Sequence, residues 1–127
     1  MTLISKSHAS MLSEVPYLAN NFKPIEVETT AFNLEVIGHI PEALNGRLLR
    51  IGPNPASVPD PAQYHWFSGS GMAHGLRLRE GRAEWYRSRY VRDESVVAAL
   101  KLPTLPGPGV GRRDGSVNTN FTSVGGK

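Results

Sequence analysis

The chain has no cysteine. That one absence removes disulfides, thiolate nucleophiles and zinc–thiolate centres. Also missing is any run of roughly 18 consecutive apolar residues, the minimum for a membrane-spanning helix. The N-terminal string up to Val15 has no apolar h-region and carries Glu14, so no secretory signal is expected. A cytoplasmic location is the expectation that accompanies these absences. Charge of one sign does not dominate, since 14 Lys and Arg stand against 11 Asp and Glu for a net +3. Phosphate loops, nucleophile elbows and HExxH spacings are all absent. Asp60, Glu80 and Glu84 show no pairing that would mark an acid/base couple.

What is abundant is punctuation. Thirteen Gly and ten Pro in 127 residues favour a turn-rich β protein over a helical one. Phe32, Leu34, Val36 and Ile40 alternate with polar residues, which predicts a half-buried strand ended by Pro41. Asn45-Gly46 is a turn pair before a second strand, Arg47 to Ile51. Gly52 to Pro61 is excluded from a sheet interior because four prolines there remove backbone donors. Glu80-Gly81 predicts a two-residue hairpin loop. Counting outward from it pairs Arg79 with Arg82, Leu78 with Ala83, Arg77 with Glu84 and Leu76 with Trp85. Leu76, Leu78, Ala83 and Trp85 then share one apolar face. Asp93 or Ser95 is placed to cap a short helix near 93–101, stopped by Pro103. A Pro/Gly loop follows over 103–115, and Val117 onward reads as a new strand.

Four or five strands and one short helix cannot close a barrel or a sandwich without open edges. The pattern therefore predicts a part of a larger object. The arginines Arg77, Arg79, Arg82, Arg87, Arg89 and Arg92 lie along the predicted hairpin strands and just beyond, interspersed with Glu80, Glu84, Asp93 and Glu94. A solvated sheet face accounts for them, and no nucleic-acid partner is expected. A small non-catalytic basic β module, binding a partner or nucleic acid through Trp85, Tyr86 and Tyr90, is the alternative those residues leave open.

One string carries more specific information: Asn45-Gly46, Arg50, Gly52-Pro53-Asn54-Pro55, His65-Trp66-Phe67, Gly69, Gly71-Met72, His74-Gly75 and the hairpin through Gly81. It resembles the N-terminal part of the carotenoid cleavage oxygenases. Upstream, Pro16-Tyr17-Leu18, Asn21-Phe22 and Pro24 fit that family's extended arm. The resemblance implies an all-β fold. Residues 1–30 would be the arm and 31–127 the first blade region of a seven-bladed β-propeller, incomplete in this chain. It also implies a non-haem Fe(II) dioxygenase that splits a C=C bond of a carotenoid or apocarotenoid with O2, giving aldehyde or ketone products. Cleavage of stilbenoids is the alternative within the family. The substrate would be an apolar polyene reached through a tunnel, with peripheral membrane contact as its source.

The four histidines, His8, His39, His65 and His74, match the family's count of iron ligands but not their places. The family takes one ligand from each of four blades, and the resemblance puts all of them downstream of this chain. No catalytic, cofactor-binding or metal residue is therefore expected here, and the chain alone is expected to be inactive. His65 and His74 are read as structural, each donating to a backbone carbonyl within the blade. Trp66, Phe67 and Met72 are candidates for tunnel lining, with blade core as the plainer reading. Two departures stand out. Ser68 and Ser70 occupy the acidic positions of the family's common Asp-Gly-Asp-Gly-Met, and Val124 stands where a histidine often falls.

Overall fold

The computed structural model describes residues 15–103 and 119–125. Most of the Pro/Gly loop 103–115 and the start of the strand expected from Val117 lie outside the described residues. The element order is β1 (Thr30–Phe32), β2 (Gly46–Pro53), β3 (Gly71–Arg79), β4 (Arg82–Tyr90) and α1 (Glu94–Leu100), with short 3-10 turns at 16–18, 20–22, 61–63 and 66–68. The strands form one antiparallel sheet in the order β1-β4-β3-β2.

The hairpin forms where the glycine places it. Glu80 and Gly81 both take positive φ, 49° and 71°, the backbone of a tight turn that matches strand twist. Arg79 faces Arg82 and Leu78 faces Ala83, but a bulge between Arg77 and Leu78 then shifts the register. Arg77 lies opposite Trp85 rather than Glu84, and Leu76 opposite Tyr86 rather than Trp85. One extra residue on β4 thus moves Trp85 to the face opposite that of Leu76 and Leu78. There its ring sits 3.2 Å from where a Gly75 Cβ would stand, and the Arg87 guanidinium lies 5.0 Å from its centroid. Glu84 still meets Arg77, at 3.7 Å, and adds Arg79 at 3.5 Å.

The strand expected over Phe32 to Ile40 stops at Phe32. Asn33 adopts φ 50°, a left-handed conformation that asparagine tolerates and a strand does not. Its N–H and that of Leu34 still donate to Glu84 and Ala83, at 2.8 and 3.0 Å, beside the bulge. Beyond them the alternation lines no core: Val36 is exposed and Ile40 only half-buried, and Ile37 between them is 95% exposed. Residues 119–125 likewise form no strand.

Met72, Tyr90 and Val96 make the core, with Ala56, Leu100 and Leu102 packed on it. α1 is fastened to this core by its first turn. Asp93 caps it, accepting from the Val96 N–H at 2.8 Å and from the Ser95 hydroxyl at 2.7 Å. Lys101 in the left-handed region ends the helix ahead of Pro103, and Leu102 N–H returns to the Val97 carbonyl at 3.1 Å. Leu48 and Leu49, on opposite faces of the edge strand β2, are both largely exposed.

Candidate functional site

Asn54 of the Gly-Pro-Asn-Pro run is buried and works as a clamp. Its Oδ1 accepts from the Ile25 N–H at 2.7 Å, and its Nδ2 donates to the Ile25 carbonyl at 2.9 Å and to the Tyr90 hydroxyl. Tyr90 completes the ring by donating to the same Ile25 carbonyl at 2.8 Å. The flanking prolines hold the loop in extended backbone, so the amide is aimed before it binds. Further along, Thr29 N–H donates to Ser88 Oγ, and Ser88 N–H to the Thr29 carbonyl, both at 3.0 Å. Glu28 accepts from the Tyr90 N–H at 2.9 Å and meets Arg92 at 3.1 Å. Residues 25–32 are thereby tied to β4, and Thr30–Phe32 join the sheet as β1.

Gly69 is required by close approach. A Cβ there would stand 2.8 Å from the Tyr64 hydroxyl, 3.0 Å from Pro53 Cβ and 3.3 Å from the Asn54 nitrogen. The buried Tyr64 hydroxyl has no hydrogen-bond partner among the described residues, and burial pushes its phenol up. The Ser68-Gly69-Ser70 segment is a turn into β3, with the Ser70 carbonyl accepting from the Asn54 N–H at 2.7 Å.

The histidines are dispersed. His39 is exposed in a loop, and His8 lies outside the described residues. His65 caps the 66–68 turn, its Nδ1 accepting from the Phe67 N–H at 3.3 Å. His74 Nδ1 is bonded to the Tyr86 hydroxyl at 2.7 Å. Neither bond is the donation to a backbone carbonyl expected from the sequence; both engage Nδ1 within the blade. Burial first, and Arg50 second, hold the His74 imidazole below its ordinary range. These residues do not fit an iron site. Among the described residues no three His, Asp or Glu side chains converge to hold a metal, and two of the imidazoles already have Nδ1 committed.

The tunnel candidates separate. Met72 is fully enclosed in the core, whereas Phe67 is 70% exposed. Trp66 is half-buried in an aromatic cluster with Phe22 and Tyr17, at centroid distances of 4.9 and 5.8 Å. The basic residues are largely engaged internally. Arg77 and Arg79 meet Glu84, Arg92 meets Glu28, and Arg89 donates to the Thr29 and Ser88 carbonyls and to Thr30 Oγ1. Sequence reasoning missed the Asn54 clamp and the His74–Tyr86 pair, because both depend on contacts between residues far apart in the chain.

A four-stranded antiparallel sheet, with an N-terminal segment clamped to it by the asparagine of a Gly-Pro-Asn-Pro run, is the unit these residues build. The family model described as retinal pigment epithelial membrane protein (RPE65) matches residues 22–127. The chain belongs to this family, which includes the carotenoid cleavage oxygenases. It is 49% identical over 117 residues to a carotenoid cleavage oxygenase of Mycobacterium tuberculosis, covering 91% of this chain and 23% of that protein. The crystal structure of Pseudomonas brassicacearum lignostilbene dioxygenase superposes with a TM-score of 0.62 at 27% identity, over 69% of this chain and 18% of that one. A cobalt-substituted Synechocystis apocarotenoid oxygenase superposes with a TM-score of 0.53 at 28% identity, over 61% and 16%. The family is one of enzymes, and the sheet is a single blade of its propeller. The chain spans less than a quarter of the length of these relatives.

Proposed function

We propose that this chain supplies the N-terminal arm and one blade of a non-haem iron dioxygenase that cleaves a C=C bond of carotenoids or apocarotenoids, using O2 and releasing two carbonyl fragments. The observation that carries the reading is the 49% identity to a carotenoid cleavage oxygenase, held over 91% of the chain. The geometry supports a scaffold role for this segment, since its motif residues clamp, cap and pack. The iron, for which the metal-bearing Synechocystis relative is the support, would be held by residues other than those described here. In this reading Trp66 and Phe67 are the candidates for a tunnel wall, while Met72 is part of the blade core. The proposed enzyme is cytoplasmic and meets its polyene at a membrane surface, with Phe67 among the exposed apolar side chains available for peripheral contact. Stilbenoid cleavage is the second reading, favoured by the lignostilbene dioxygenase superposition.

The test is a graft. This chain replaces the matching segment of the Mycobacterium tuberculosis relative, and the folded, iron-loaded chimera is assayed with an apocarotenal and with a lignostilbene. Retention of apocarotenal cleavage within about tenfold of the parent kcat/KM, a change of about 1.4 kcal/mol in the barrier, is the expected result. A folded chimera that cleaves neither substrate overturns the proposal, and one that cleaves only the lignostilbene selects the second reading. The 127-residue chain alone should bind no stoichiometric Fe(II); tight binding abolished by His65→Ala would contradict the scaffold role.

A further inference from the structure

Where residues 21–25 cross the Met72 face of the sheet, they close a cleft of about 160 Å³ whose walls include Asn21, Phe22, Lys23, Arg50, Trp66 and His74. Its chemistry is one-sided. Among the described residues the lining holds two cations and an imidazole, and no carboxylate. Arg50 and Lys23 have no ion-pair partner among the described residues, whereas Arg77, Arg79 and Arg92 each have one. Arg50 stands directly across the strands from His74, so the two side chains share a face at roughly 5 Å between Cβ atoms. His74 Nδ1 and the Tyr86 hydroxyl share a hydrogen bond of 2.7 Å; in the tautomer where the hydroxyl donates, the ring proton sits on Nε2. Guanidinium, ammonium and Nε2–H are then all donors. Beside them the edge-to-face pair of Trp66 and Phe22 forms an apolar wall.

We propose that this cleft binds a carboxylate, with Arg50 as its main partner, Lys23 and His74 Nε2–H as further donors, and the Trp66–Phe22 wall against the group that bears it. A planar fork of donors matches a carboxylate bidentately, which is why an unpaired Arg in a concave site points to that anion. Size sets the limit. Pockets for drug-sized ligands run to roughly 300–1,000 Å³, so 160 Å³ admits a head group or a side chain and no polyene. Of the acidic groups of the neighbouring arm, Glu28 is directed to Arg92 and the Tyr90 N–H, and Glu26 lies near enough to Tyr90 to act on its phenol. The Arg50 charge that disfavours protonation of His74 is the charge a bound anion would offset. This site is independent of the cleavage reaction proposed above, and binding at it is read without activity.

Two sources share this chemistry, a free carboxylate ligand and an acidic side chain of the propeller's own further blades. The first arm of the test titrates the 127-residue chain with benzoate, following the His74 ring and Trp66 indole signals by NMR. Saturable shifts at both residues are expected, with the His74 midpoint moving up. Arg50→Gln should weaken binding by at least about tenfold, the scale of a lost charge-assisted pair, while neutral benzamide should leave His74 unmoved. Absence of saturable shifts in the folded chain, equal binding by Arg50→Gln, or equal binding of benzamide would overturn the proposal. The second arm repeats the titration on the Mycobacterium chimera, which does not depend on the isolated chain folding. Benzoate binding there identifies a ligand site. No binding, with a Tm several degrees lower in Arg50→Gln, identifies an internal carboxylate; no binding and an unchanged Tm refutes both.

Discussion

Asn54→Ala removes the clamp without touching the sheet. The side chain makes three hydrogen bonds in a buried setting, two to the Ile25 backbone and one to the Tyr90 hydroxyl. A net worth of roughly 0.5–1.5 kcal/mol each, with the usual lack of additivity, gives about 2–4 kcal/mol. Tyr90 keeps its bond to the Ile25 carbonyl, which argues for the lower half of that range. At about 2 kcal/mol the population with residues 25–32 detached rises about 30-fold. Hydrogen exchange resolves this from a local defect. The Ile25 amide loses its acceptor directly and is uninformative; the Thr29 and Asn33 amides keep theirs, Ser88 Oγ and the Glu84 carbonyl. Both should exchange about 30-fold faster if the segment comes away as a unit. Asn54→Asp should not rescue, because it turns the donor facing the Ile25 carbonyl into an acceptor. If Thr29 and Asn33 exchange at the parent rate in Asn54→Ala, the clamp reasoning is wrong.

Gly69→Ala should cost about 1–3 kcal/mol in thermal or urea melts through overpacking against Tyr64, Pro53 and Asn54. Adding Tyr64→Phe should recover part of it by deleting an unpaired buried hydroxyl, and an unchanged Tm for the single variant would count against the geometry. Met72→Ala, in the fully enclosed centre of the core, should lose about 2–5 kcal/mol, and a loss under about 1 kcal/mol would mean the core is elsewhere. His74 adds a pH dependence of fixed sign. Its folded midpoint lies below the unfolded value of 6.5, so its contribution is complete above 6.5 and is lost as pH falls through the folded midpoint. His74→Gln should flatten the change in Tm between about pH 7.5 and 5, and an unaltered profile would remove the imidazole from that account.

Local chemistry carried much of the architecture. Gly81 marked the hairpin loop, and Asp93 or Ser95 the helix start, of which Asp93 is the cap, because a positive φ and an N-cap are decided within a few residues of chain. The prolines around Asn54 excluded a strand interior for the same reason, and the loop after Pro53 obeys them. The register was not legible. Counting from the turn ran true for two pairs, until the bulge added a residue to β4 and carried Trp85 to the other face. The alternation from Phe32 to Ile40 misled because periodicity says which residues would face a core, not whether one is present. Asn33 turns the chain aside, and Val36 and Ile37 are left exposed. At the histidines, sequence spacing could not find Tyr86 beside His74.

The sequence by itself determined the family, through glycines, prolines and aromatics at fixed spacing whose conformational demands are local. Only the tertiary structure decided what those residues do. It brought Asn54 to Ile25 and Tyr90, and Arg50 to His74, across separations at which no local rule acts. The reason is physical: a turn is chosen by its own backbone, whereas a clamp or a cleft exists only once distant strands have paired and fixed which side chains share a face.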